Sequence, residues 1–278
     1  MANDINAGFA LNTYSHTLLG PIAEQLPGFA QDGFRELELM MYPGHLWPPT
    51  MDAVARAALR RELDALGLAV RTLNQPNVDI NIAAASPEMR RYSLDILRSV
   101  VSLAAELGAE GVVIGPGKPN PLLPAPIEQL LGWSFEALDE LVPFADACGT
   151  RLLMENMPFA FLPDAESMMA AVERYGAEQI GVVYDVANAH FIGEDLKAGF
   201  ARVATRLHTV HLSDTSRTVY RHDPVGAGDV DFAQALAAAH AVNHRRAAVL
   251  EIISRNPQQD IDESARRLAA LGWDRVTG

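Results

Sequence analysis

The chain reads as an α/β protein, a single (β/α)8 barrel over residues 1–278, and three observations carry that reading. Short apolar runs alternate with longer amphipathic stretches along the whole length. Four of the later runs end on an acidic or imidazole side chain: Glu155, Asp185, His211 and Glu251. The first run, Ala7–Leu11, is not followed by the glycine-rich phosphate loop that opens a doubly wound sheet, the main rival architecture.

The candidate strands are Ala7–Leu11, Glu36–Met40, Ala69–Asn74, Gly111–Gly115, Arg151–Glu155, Ile180–Asp185, Leu207–Leu212 and Ala247–Ile252. Each is short and apolar enough to be buried on both faces, as parallel strands are. Apolar residues at three- and four-residue spacing place helices at Met51–Leu66, Pro87–Leu107, Ile127–Ala147, Ala165–Tyr175, Phe232–Ala241 and Ile261–Leu271. Ser86-Pro87 supplies a helix start, and Gly67 and Gly108 supply stops. Strand alternation then assigns faces. If Glu155 points into the barrel, Leu153 does too, as do Val183, Thr209 and Val249 beneath the other three polar ends. The same rule turns His208 outward, towards the helices.

Composition narrows the partners. With 49% hydrophobic residues the chain can bury a full core, and its formal net charge of −13 disfavours nucleic acid and anionic membrane surfaces. The single cysteine, Cys148, cannot form an intrachain disulfide and reads as a structural thiol at a helix end. No signal-peptide pattern opens the chain, and no apolar stretch approaches the roughly 20 residues that cross a bilayer. The expectation is a soluble cytoplasmic protein. Trp47 with Pro48 and Pro49, or Phe159 through Leu162, could line either a subunit contact or a substrate lid, so a homo-oligomer stays open.

A charge at the end of a buried strand is costly unless something compensates it. Here three carboxylates and one imidazole close four successive strands, about one βα unit apart, at the end of the barrel where active sites are built. They are a ligand set for one divalent cation. The donor types suit Mn2+ first, with Co2+, Mg2+ or Zn2+ as alternatives. The competing account is a set of buried ion pairs, but no basic residue is placed at the other strand ends.

Four segments around these residues carry a resemblance. They are Leu153-Met154-Glu155-Asn156-Met157-Pro158, Tyr184-Asp185-Val186-Ala187-Asn188-Ala189-His190, Val210-His211-Leu212-Ser213-Asp214 and Gly226-Ala227-Gly228-Asp229-Val230-Asp231. The chain resembles the xylose isomerase-like TIM-barrel superfamily, and within it the sugar phosphate isomerase/epimerase group. That group includes ketose 3-epimerases, inosose isomerases and dehydratases, 3-dehydroshikimate dehydratases and distant abasic-site endonucleases. The resemblance implies that Glu155, Asp185, His211 and Glu251 bind one divalent metal, and that Glu155 and Glu251 also move the substrate proton. A ketose or cyclic polyol ketone, lying with its carbonyl and adjacent hydroxyl at the cation, would lose a carbon-bound proton to one carboxylate. The enediolate would regain it from the other.

Other positions follow from the same resemblance, or, for Asn156 and Lys118, from their place in the chain. Arg217, six residues beyond His211, falls where related epimerases hold a substrate oxygen. Many members carry a histidine three residues after the aspartate, whereas this chain has Asn188 there and His190 two places later. Asn156 is either a substrate neighbour or a turn cap, and Lys118 is a candidate for an anionic substrate group. His222 stands where the nuclease branch has an Asp-x-His metal pair, but Tyr220 replaces the aspartate, which argues against a second metal. The reading is therefore a metal-dependent sugar isomerase or epimerase. A dehydratase of the same superfamily is the alternative, and a noncatalytic sugar-binding barrel stands behind it.

Overall fold

A computed structural model describes residues 5–75 and 79–275. Eight parallel strands close into a barrel in sequence order, with β1 paired to both β2 and β8. They are β1 Ala10–Asn12, β2 Glu36–Met40, β3 Ala69–Asn74, β4 Gly111–Ile114, β5 Arg151–Glu155, β6 Gly181–Asp185, β7 Leu207–Leu212 and β8 Val249–Leu250. Nine helices are described: α1 Ile22–Gln31, α2 Ala53–Leu66, α3 Pro87–Leu107, α4 Ile127–Ala147, α5 Ala165–Tyr175, α6 Val186–Ile192, α7 Leu196–Val203, α8 Phe232–Ala241 and α9 Pro257–Leu271. Among the described residues none is long and apolar enough to cross a membrane.

The helix ends show why the chain breaks where it does. Asp52, Ser86, Asp164, Asp195 and Asp231 each accept a hydrogen bond from a backbone N–H in the first turn of the following helix. Asp52 therefore starts α2 at Ala53, two residues later than the apolar periodicity predicts, after a 3-10 turn at Pro48–Thr50. Helix α9 begins earlier than Ile261 because Pro257 occupies its first position and its first turn is polar, which apolar spacing does not register. The first and last strands are shorter than their apolar runs. The ladder nonetheless continues past β8, because the Glu251 N–H donates to the Leu212 carbonyl at 3.1 Å.

Inside the barrel the alternation holds on the strands that matter most. Val113, Leu153 and Val183 form a small apolar cluster of their own, while Leu152, Met154, Val182 and Tyr184 belong to the core beneath the helices. Leu153 fills the barrel centre so completely that two neighbours must be glycine. A Cβ on Gly111 would stand 2.7 Å from Leu153 Cδ1, and one on Gly181 would stand 2.6 Å from Leu153 Cδ2. Glu155 and Asp185 sit one alternation above this plug, at the C-terminal rim.

His208 departs from strict alternation. The register slips between Val182, opposite Leu207, and Val183, opposite Thr209, so β7 carries one extra residue. His208 is that residue. A Cβ on the inward-facing Gly181 would lie 3.5 Å from its Cβ. Its ring bonds the Thr209 hydroxyl at 2.9 Å and approaches Glu110 at 3.1 Å, at the N-terminal end of the barrel, so it does not pack under the helices. A second slip, between Leu37 and Glu38, leaves Arg71 as the extra residue of β3.

Candidate metal centre

Four successive strands, β5 to β8, bring Glu155, Asp185, His211 and Glu251 together at the C-terminal mouth, all buried. One ligand atom from each lies within 4.8 Å of the others. His211 Nδ1 is 3.1 Å from Glu155 Oε1, 3.2 Å from Glu251 Oε2 and 3.9 Å from Asp185 Oδ2. Asp185 is both strand end and helix cap: its Oδ1 accepts the Asn188 N–H at 2.6 Å, which leaves Oδ2 buried with no hydrogen-bond partner. A buried carboxylate oxygen without a donor, facing an imidazole and two further carboxylates, fits a divalent cation.

The protonation energetics agree with that fit. Burial pushes the Asp185 carboxyl up to about 7; His222 and His211 oppose the shift, and Glu251 adds to it. Burial also raises Glu155 and Glu251, against the pull of His211. Three acids strained towards neutrality at one point are what a cation would relieve. His211 is held well above the ordinary imidazole range, because the fields of Glu38 and Glu251 and bonds to Glu155 and Glu251 overcome its burial.

A fourth carboxylate completes the arrangement. Glu38, on β2 and fully buried, lies on the other side of the imidazole, with Oε1 3.1 Å from His211 Nε2. It accepts hydrogen bonds from Asn12 at 2.7 Å, Thr72 at 2.6 Å and Asn74 at 3.0 Å. Burial would raise its pKa, but the charge of His211 and hydrogen bonds from His211, Thr72 and Asn74 hold it down at about 2. Asn12 also donates to Glu251 Oε1 at 3.2 Å. Glu38 and Asn12 escaped the sequence reading; the available signal was the alternation Glu36-Leu37-Glu38-Leu39-Met40, which turns Glu38 inward beside the ligand strands.

Above the cluster is a pocket lined by Tyr14, Glu155, Asn188, Tyr220, His222, Glu251, Lys118 and the apolar Ile114, Met157 and Phe159, among others. Phe159, 61% exposed, meets Tyr220 edge-on at 5.3 Å and Phe191 at 6.0 Å, giving the mouth one aromatic wall.

The residue profile of the xylose isomerase-like TIM barrel family matches positions 29–271. The chain belongs to that family. Among structures, this xylose isomerase-like barrel is similar to a D-tagatose 3-epimerase-like protein, at 20% identity and a TM-score of 0.81 over 95% of this chain and 96% of that one. It is also similar to the IOLI protein with a bound zinc atom, at 16% identity and a TM-score of 0.78 over 97% of both. At such identities the likeness is one of fold. Among sequences, a protein of Methanocaldococcus jannaschii is 25% identical over 59% of this chain, and the alignment spans only 58% of that protein's length. Fructoselysine 3-epimerase of Shigella flexneri is 21% identical over 75% of this chain and 76% of its own.

Within this xylose isomerase-like site, the remaining candidates fall into two groups. Asn156 clamps the end of β6: its Oδ1 accepts the Asp185 N–H at 2.7 Å and its Nδ2 donates to the Asp185 carbonyl at 3.0 Å. Asn188 donates to the Asn156 carbonyl and accepts from the Tyr220 hydroxyl at 2.8 Å. The Tyr220 oxygen also bonds His222 Nε2 at 2.9 Å, and His222 Nδ1 lies 3.4 Å from Glu251 Oε2. His190 is drawn elsewhere, pairing with Asp229 at 2.6 Å, and with Arg217 it lines a separate recess beside α6. Lys118 borders the main pocket.

Proposed function

We propose that the protein is a divalent-metal-dependent isomerase or epimerase of a sugar or polyol-derived ketone. The observation that carries this is the convergence of Glu155, Asp185, His211 and Glu251 on one point, with Asp185 Oδ2 unpartnered beneath an open pocket. Membership of the family and likeness to sugar epimerases are consistent with it.

A cation held by these four groups supplies Lewis-acid polarisation of a carbonyl and its neighbouring hydroxyl. Manganese is the proposed ion, because three carboxylate oxygens and one imidazole nitrogen are hard to borderline donors. Everything else falls to the chain. Glu155 and Glu251 stand at the two ends of the half-ring of ligand strands and both border the pocket. Their raised pKa values keep the protonated state within reach, which a carboxylate that takes and returns a carbon-bound proton needs. Return to the opposite face of the same carbon inverts it; return to the neighbouring carbon yields an isomer. Tyr14, whose pKa is raised by burial and by the field of Glu251, offers a phenol as a donor at the pocket wall. His222 is held beside Glu251 at the pocket wall by Ser213 at 2.9 Å on Nδ1 and by Tyr220 on Nε2.

Metal analysis of the purified protein, combined with a ketose panel read by deuterium incorporation from heavy water, tests the reading. Metal-dependent incorporation at a carbon next to the carbonyl is expected. A product lighter by one water would move the assignment to a dehydratase, and incorporation indifferent to chelation would remove it.

A further inference from the structure

The pocket has two chemically different ends. Its floor is the carboxylate cluster, whereas the wall built by the end of β4 and the loops after β3 and β4 presents Ile80, Ile82 and Ile114, interrupted by Asn81 and Lys118. Asn81 is already committed. Its Nδ2 donates to the Lys118 carbonyl at 2.9 Å, and its Oδ1 accepts the Lys118 N–H at 2.9 Å and the Ala83 N–H at 3.0 Å. Those bonds pin the Lys118 backbone on both sides. Gly117 presses the two loops together: at φ +114° it lies where an added Cβ would stand 2.5 Å from Ala83 Cβ. A lysine on a flexible loop is usually a solvated point charge, but this one has a fixed root.

The ammonium itself is uncommitted. Among the described residues Lys118 forms no salt bridge; Asp79 acts on it only through its field, and half-burial lowers its pKa more than that field raises it. Lys118 also borders the adjoining surface recess, which places it at the rim of the pocket, away from the floor. In a chain of net charge −13, a partly desolvated cation facing a pocket without a carboxylate partner is costly unless a ligand supplies the anion.

We propose that Lys118 is a specificity-determining residue that holds an anionic group, phosphate or carboxylate, on the end of the substrate remote from the metal-binding carboxylates. The substrate is then an acidic ketose. This rests on the isomerase or epimerase reading above and adds the charge of the substrate to it. The polarity of the pocket sets the orientation: Glu155 and Glu251 line its floor and disfavour the anionic end there, and the ammonium receives it at the rim.

The test follows carbon-bound proton exchange in heavy water on the metal-loaded protein, using three ketoses of one carbon skeleton: neutral, terminally phosphorylated and terminally oxidised to a carboxylate. One of the anionic members is expected to show kcat/KM about tenfold or more above the neutral one, as a charge-assisted contact provides. Which anionic member is favoured separates phosphate from carboxylate. Lys118→Arg should keep most of that ratio, and Lys118→Met should bring it close to one, with KM carrying most of the change. No anionic preference, or a preference that survives Lys118→Met, would overturn the assignment while leaving the isomerase reading intact. No exchange with any of the three would overturn both.

Discussion

Glu38 and His211 face one another across the barrel interior with 3.1 Å between carboxylate oxygen and Nε2, and that contact decides which nitrogen of the imidazole meets the ligand cluster. With Nε2 turned to Glu38, Nδ1 is the atom presented to Glu155, Asp185 and Glu251. Three neutral donors hold Glu38 in place, so the imidazole inherits its orientation from β1, β2 and β3 as well as from its own strand.

Loss of that support is expected to weaken the metal site without unfolding the barrel. Glu38→Gln keeps the shape but removes the charge that fixes His211, and metal affinity should fall roughly 10- to 100-fold. Calorimetric metal titration, with circular dichroism as the control for folding, measures it. An unchanged affinity would show that Glu38 has no part in orienting the ring.

Glu155→Gln and Glu251→Gln should each lower deuterium exchange by several orders of magnitude, since either change removes a proton carrier from the pocket. Because both residues are also proposed ligands, exchange must be compared at saturating metal. A variant that is metal-loaded and fully active would take that residue out of the proton-transfer role.

The acid cluster's contribution to stability should respond to pH in opposite senses with and without metal. The folded pKa of Asp185, about 7, lies above its ordinary value of 3.8, so its contribution is present below that value and lost as pH rises through 7. Glu155 and Glu251 shift in the same direction. In metal-free protein this contribution should fall between pH 4 and pH 7, against His16, His208 and His244, whose pKa values burial lowers to about 4 and which add stability as pH rises; Asp185→Asn isolates it, and its stability relative to the parent should increase over that interval. Metal-loaded protein should gain stability over the same interval, because bound ligands must be ionised. Scanning calorimetry with and without chelator checks this, and parallel slopes in the two states would contradict it.

The glycines beside Leu153 make a purely structural prediction. Gly181→Ala would set a methyl group 2.6 Å from Leu153 Cδ2 in a packed interior and should destabilise the fold by about 1–3 kcal/mol. Chemical denaturation measures the change. An undiminished midpoint would mean that the barrel centre is looser than its packing indicates.

Much of this protein can be read from its sequence because local and global signals coincide. The α3 and α4 helices run from Pro87 to Leu107 and from Ile127 to Ala147, the same bounds that apolar periodicity and punctuation predict. Helix α6 is harder to see, since Val186–Ile192 is buried from Val186 to His190 and shows no apolar stripe. The four converging positions were legible because a charge ending a buried run stands out against its neighbours. Glu38 did not stand out, since it lies within its strand and its compensating partners come from β1, β3 and β7, far away in sequence.

By itself, then, the sequence determined the alternation of strands and helices, the closure expected of eight such units, and which end of the barrel carries charge. Burial patterns and strand parity are local properties, so one chain read in order contains them. Only the tertiary structure decided that His208 leaves the helix-facing side, that His190 turns to Asp229, that Asn156 spends its amide on the Asp185 backbone, and that Asn188 divides its own between the Asn156 carbonyl and the Tyr220 hydroxyl. Each of those outcomes depends on a register slip or a partner from a distant segment, and register and partner choice are set when the strands pack together.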